Sequence, residues 1–380
     1  MTAVRNIARA SARAANRTVR DPFLDNAKFL LIVLVVIGHD WYPAIDDFQA
    51  VKALYMVVYA FHVPAFVLLS GYFSRGFEGR PDQWRKLVLT VLVPYLVFQT
   101  AYAAVSSWAA DKPFQLHFSG PIYVTWFLLA LFVWRASAPL LRSLPRPILL
   151  STAVSLVATV TITDTGFALA RVLQLLPWFV IGLSLKPEHI AALRARGVRL
   201  AAGAVLVTAG VVAWFLAPAF DVRWLDRQWD AAELGVSLPV DLVLAAGIDL
   251  VTAVMVVAAL ALVPRRRSWL TALGAFTMYP FLLHGLVVRV AQSAGVHDYL
   301  IGLGGIGALA ITVGAVALAF LLATPAVRAA TRWAVEPASL ALFRRRPGAT
   351  APAASGAAEG RDAREREGER PREMAGSVRG

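Results

Sequence analysis

The chain has 380 residues, 58% hydrophobic and 16% charged, a balance that excludes an ordinary soluble domain of this size and makes lipid the main solvent. Its net charge of +13 raises nucleic acid as a partner, but the basic residues gather in loops between apolar runs, which excludes that reading. With no cysteine, disulfides, cysteine-ligated metals and cysteinyl covalent intermediates are excluded as well.

Apolar runs recur at the length that crosses a hydrocarbon core, about 20 residues. They fall at 23–42, 51–73, 87–108, 122–141, 148–163, 167–185, 200–216, 238–263, 270–290 and 301–323, the fifth being short. They predict an all-α integral membrane protein with about ten transmembrane helices in one bundle. Arg5, Arg9, Arg13, Arg17 and Arg20 precede the first run, and Arg75, Arg80, Arg85 and Lys86 follow the second. Further clusters follow the fourth (Arg142, Arg146), the sixth (Lys186, Arg194, Arg196, Arg199), the eighth (Arg265, Arg266, Arg267) and the tenth (Arg328, Arg332 and 344–346). The other loops are poor in base or mixed. Positive charge stays on the cytoplasmic side, so the expectation is a multi-pass plasma-membrane protein with both termini cytoplasmic. Asp25 and Lys28 interrupt the first run and no small-residue cleavage site follows Ile37, so it is read as a span and not as a signal peptide.

Three regions follow. Residues 1–22 form a basic cytoplasmic segment, 23–335 the membrane domain, and 336–380 a tail whose Ala, Gly, Pro and mixed-charge composition predicts disorder. The longest hydrophilic stretch between runs, 218–239, carries Trp224 and Trp229 and is expected to rest at the membrane interface. No internal repeat is evident.

Ionisable groups within spans are costly and mark cavities or partners. On the first span, Lys28 and His39 are eleven residues apart, which returns to within roughly 20° of the same helix face and separates them by about 16 Å. Asp25 joins that stripe, either as part of a site or as an N-terminal helix charge paired with Lys28, which is itself open to reading as a snorkelling cation. His62 precedes Pro64, and His284 follows Pro280. Each could line a cavity or satisfy a carbonyl freed by the proline. Arg171 and Asp249 could form an ion pair or line the same cavity. No two-histidine helical ligand spacing is present, so no metal site is expected.

At these residues the chain resembles the family-3 membrane acyltransferases, in particular their fucose 4-O-acetylase-like branch. The resemblance is carried by Asp25-Asn26-Ala27-Lys28 through Gly38-His39, a basic residue, ten intervening residues and then a histidine. It continues in Phe61-His62-Val63-Pro64-Ala65-Phe66, Leu69-Ser70-Gly71-Tyr72-Phe73, Leu92-Val93-Pro94-Tyr95 and Thr125-Trp126-Phe127. Arg171 with Leu176-Pro177-Trp178-Phe179, and Tyr279 with Leu283-His284, complete it. Some relatives carry a C-terminal esterase-like domain, whereas here the membrane domain is expected to stand alone. The paired arginines of some relatives appear here as Arg80, Arg85 and Lys86 with different spacing.

The resemblance implies about ten helices and transfer of an acyl group, commonly acetyl, from acyl-coenzyme A to a hydroxyl of a glycan or glycoside. The donor would be a substrate, not a permanently bound cofactor. On that reading His39 is the general base, and Asp25 and Lys28 order the lower cavity or the donor. Arg85 and Lys86 would attract coenzyme A phosphates. His62, Ser70, Trp126, Arg171, Asp249 and His284 would surround the substrates. The alternative is a secondary transporter of a sugar or small metabolite; the glycines at 302, 304, 305, 307 and 314 could equally mark close helix packing or a flexible element.

Overall fold

The computed structural model describes residues 21–162, 166–229 and 231–337, and among these the regular structure is entirely helical. Most of the basic N-terminal segment and nearly all of the C-terminal tail lie outside the described residues. Each of the ten apolar runs coincides with helix. Helix α1 (Pro22–Trp41) starts where Asp21 accepts a hydrogen bond from the Phe23 amide at 3.0 Å, with Pro22 in the first turn, where its missing N–H costs nothing.

The second run divides into α2 (Gln49–Tyr59) and α3 (His62–Phe73) at Ala60-Phe61. The third is α4 (Pro81–Leu87), a π turn over Val88–Leu92, and α5 (Val93–Ala109). Pro94 explains the π turn: its ring would collide with the carbonyl four residues back, Thr90, which lies within the widened segment. Next come α6 (Thr125–Ser143) and α7 (Pro147–Thr161). The sixth run is broken into α8 (Leu169–Gln174) and α9 (Leu176–Ser184), with Pro177 in the first turn of the latter. After the short α10 (Pro187–Ala192) come α11 (Arg196–Leu216) and α12 (Leu238–Leu262). The ninth run is α13 (Trp269–Leu273) and α14 (Met278–Ser293), followed by α15 (Val296–Gly302), α16 (Gly305–Leu322) and α17 (Pro325–Val335).

Six of these stretches are long and apolar enough to cross a membrane: Pro22–Ala44, Gln49–Phe73, Pro81–Ala109, Arg196–Leu216, Leu238–Leu262 and Gly305–Leu322. The count of ten therefore does not follow from length and hydropathy alone. Helix α6 has the length but carries Arg135 and Arg142, and the runs containing α7, α9 and α14 yield shorter or interrupted helices.

Helix α1 packs on α3, α13, α14 and α16 and is the central post. The most intimate crossing is between α3 and α9. A Cβ on Gly71 would strike the Phe179 carbonyl, and one on Gly182 the Leu68 carbonyl, so two glycines let the backbones touch. At the periphery, α11 buries only Ala202 and Ala213 and leaves Phe215 75% exposed, the pattern of a lipid-facing helix. The stretch 218–239 does not simply lie at an interface. Arg171 Nε donates to the Asp226 carbonyl at 3.2 Å and Nη2 to Gln228, which draws residues 226–228 inward against the bundle.

Candidate active site

His39, one turn from the end of α1, opens onto a cavity of about 460 Å³. Its rim is built from Tyr42, from Pro121 and Tyr123, from residues 225–228 and from Arg289 and Gln292, all in or beside the segments that alternate with the arginine-rich loops. A second, narrow cavity of about 40 Å³ meets the first at His39, His62, Val63 and Trp126 and is otherwise lined by Ile32, Val35, Phe66, Val124, Phe127 and Phe281. From His39 to Ile32 it descends α1 by about 10 Å toward Lys28, at 1.5 Å per residue. His39 and His62 thus stand where a wide polar chamber meets a narrow apolar slot.

The three histidines are set differently. His62 Nδ1 lies 2.9 Å from the Val58 carbonyl, and His284 Nδ1 lies 2.7 Å from the Pro280 carbonyl. A carbonyl can only accept, so both rings carry their proton on Nδ1, and each neutral ring has Nε2 as an acceptor. Neither acceptor is the carbonyl that the neighbouring proline frees, which would be that of Ala60 for Pro64 and of Phe276 for Pro280, so the rings are anchored to the backbone but not in the role expected beside a proline. His284 is fully buried and its Nε2 has no hydrogen-bond partner among the described residues. His39 is half-buried and makes no hydrogen bond among the described residues, so its nitrogens are uncommitted.

Two glycines make room for the aromatic walls. A Cβ on Gly38 would meet the Tyr59 ring, and one on Gly285 would meet the Tyr102 hydroxyl and the Tyr123 ring. Tyr123 then stands edge-on to His39 at 4.6 Å, and Tyr59 edge-on to His62 at 4.5 Å. Tyr123 adopts a left-handed backbone, φ 57°, in the turn before α6. That turn is held by Gln99 of α5, which is fully buried and fully used. Its Nε2 donates to the carbonyls of His117 and Gly120, each at 2.7 Å, and its Oε1 accepts from the Ile122 amide and the Thr125 hydroxyl.

Among the sequence-derived candidates, His39, His62, Trp126 and Arg171 line the main cavity, with the Arg171 guanidinium over the Trp126 ring at 5.0 Å. His284 packs directly against His39. Asp249 pairs with Arg227 at 2.7 Å, and it is Arg227, not Asp249, that lines the cavity. Asp25 and Lys28 form an ion pair at 2.8 Å, Lys28 also lying 5.2 Å from the Phe73 ring, and neither lines either cavity. Ser70 donates to the Phe66 carbonyl and also lines neither. Arg85 and Lys86 are exposed on α4, among the basic loops. Among the described residues no three His, Cys, Asp or Glu side chains are grouped to hold a metal ion.

Sequence reading did not find Tyr59, Tyr123, Gln99, Arg227 or Arg289. Arg289 carried the clearest signal, an arginine inside the ninth apolar run. In the structure its guanidinium lies 5.7 Å from the Tyr123 ring, and its buried Nε has no hydrogen-bond partner among the described residues. Asp226, on the rim, has its carboxyl pushed above the usual range by burial, with Arg171 acting in the opposite direction.

Residues 21–324, which include the whole of this site, match the acyltransferase-domain family 3. The chain belongs to that family and is a membrane acyltransferase. No curated protein and no solved structure matches it.

Proposed function

We propose that this acyltransferase moves an acyl group, most simply acetyl, from acyl-coenzyme A to a hydroxyl of a glycan or glycoside acceptor, with His39 as general base. The observation that carries the reading is the junction of two unlike cavities at one uncommitted histidine. A chamber of about 460 Å³ with tyrosines, arginines and two glutamines on its walls suits a hydroxyl-rich acceptor. The narrow apolar slot suits the thin thioester end of a donor whose phosphates stay near Arg85, Lys86 and the other basic loops.

In the proposed step the acceptor oxygen attacks the thioester carbon while His39 takes the hydroxyl proton. The carbon–sulfur bond then breaks, and the histidine returns the proton to the departing thiolate. With no cysteine in the chain, direct transfer within a ternary complex is the simplest course. Asp25 and Lys28 would order the donor end of the route. The interrupted helices α8–α9 and α13–α14, with α6 and α7, are proposed to complete ten spans. Both termini would then face the cytoplasm of a plasma-membrane protein, with the main cavity opening on the opposite side.

Because the protein contains no thiol of its own, release of coenzyme A can be followed directly with a thiol reagent. Thiol release by the purified protein from acetyl-coenzyme A should depend on an added glycan acceptor and match ester formed. Release that ignores the acceptor, or none with any hydroxyl-bearing acceptor, would overturn the proposal.

A further inference from the structure

A third cavity, of about 260 Å³, lies apart from the candidate active site, between α3, α9, α10 and α12. Its walls are almost wholly apolar, among them Phe23, Leu69, Trp178, Ile181, Val256 and Leu260. The chain leaves this cleft straight into basic residues. Leu185 precedes Lys186, Leu193 precedes Arg194, and Leu260 is five residues before Arg265.

Arg265 is the informative member of that rim. Its guanidinium lies 4.8 Å from the ring of Phe23, a wall of the cleft, yet both Nη atoms are buried without a hydrogen-bond partner among the described residues. Burial, and then the charges of Arg194 and Arg199, push its pKa down, with Asp21 acting in the opposite direction. Glu188 lies in the first turn of α10, and Asp25 in the first turn of α1. A guanidinium with two unused donor groups beside like charges is left costly unless an anion completes it.

We propose that this cleft binds an anionic phospholipid, with an acyl chain lying along the Phe23, Trp178 and Val256 walls and the phosphate received by Arg265 with Arg194 and Arg199. The apolar wall explains a chain, and the unpartnered guanidinium explains the anion. A basic pocket between helices at the arginine-rich face of a membrane protein fits the anionic lipids of that leaflet. The inference is independent of the acyl-transfer reading, since no residue of the cleft lines the His39 cavities.

Trp178, one of 11 tryptophans, reports on occupancy. In nanodiscs of phosphatidylcholine doped with chain-brominated lipid, brominated phosphatidylglycerol should quench tryptophan emission several-fold more than brominated phosphatidylcholine. Trp178→Phe should remove most of that difference. Arg265→Gln should abolish the headgroup preference, and Arg265→Lys should retain much of it, which separates lost recognition from lost folding. Equal quenching by the two lipids would reduce the cleft to ordinary lipid-facing surface and overturn the proposal. So would an unchanged preference in Arg265→Gln, or displacement of the brominated lipid by free glycerol phosphate or coenzyme A, which would make the site one for a soluble anion.

Discussion

The imidazole of His39 lies 5.2 Å from that of His284, edge to face, although the two are separated by most of the chain. His284 is locked by its bond to the Pro280 carbonyl, whereas His39 has no such anchor, so the fixed ring sets the position of the free one. His284→Ala should lower turnover about tenfold, less than the loss of a general base itself, while the apparent Michaelis constant for acyl-coenzyme A stays near that of the parent. Steady-state kinetics at varied donor concentration checks this; a rise in that constant with turnover intact would move His284 to donor binding.

The crossing of α3 and α9 leaves no space for a side chain at Gly71 or Gly182. Gly71→Ala should therefore destabilise the protein by about 1–3 kcal/mol, the range for overpacking, and lower the melting temperature in detergent. Gly182→Ala should act similarly, and the double variant should lose less than the two together, since one displacement of the helices relieves both.

Arg227 stands on the cavity wall with 9% of its side chain exposed and is neutralised by Asp249 at 2.7 Å. Asp249→Ala should cost roughly 2 kcal/mol, below the 3–5 kcal/mol of a fully buried pair because Asp249 keeps some solvent. Arg227→Ala should cost less. A double-mutant cycle on thermal unfolding should return a coupling between them of at least about 0.5 kcal/mol.

The rim residue Asp226 gives a pH dependence of definite sign. Burial raises its folded pKa above the unfolded value, so its contribution to stability is present below the ordinary carboxylate range and is lost as pH rises through the raised value. Asp226→Asn should remove that loss, making the variant gain stability relative to the parent as pH increases from below the ordinary carboxylate range through the raised value. Unfolding midpoints of the two proteins across that range provide the comparison.

The helices were legible because lipid demands long apolar runs, and the histidines because a membrane makes any ionisable group conspicuous. What sequence spacing could not supply was the loop geometry. Tyr123 reaches His39 only because Gln99 binds the turn before α6, and Arg227 enters the cavity only because Arg171 holds residues 226–228. Helical periodicity placed Lys28 and His39 on one face, but it could not show that Lys28 would turn to Asp25 and Phe73 while His39 turned to Tyr123. Nor could it pair Asp249 with an arginine 22 residues earlier in a loop.

The central claim is that His39 takes the acceptor proton, and it is tested most directly by the transfer rate of His39→Gln. That variant should insert, melt near the parent temperature and bind acyl-coenzyme A as before, yet transfer roughly 100- to 10,000-fold more slowly, the range for losing acid–base catalysis. A well-folded His39→Gln protein with near-parental turnover would contradict the account.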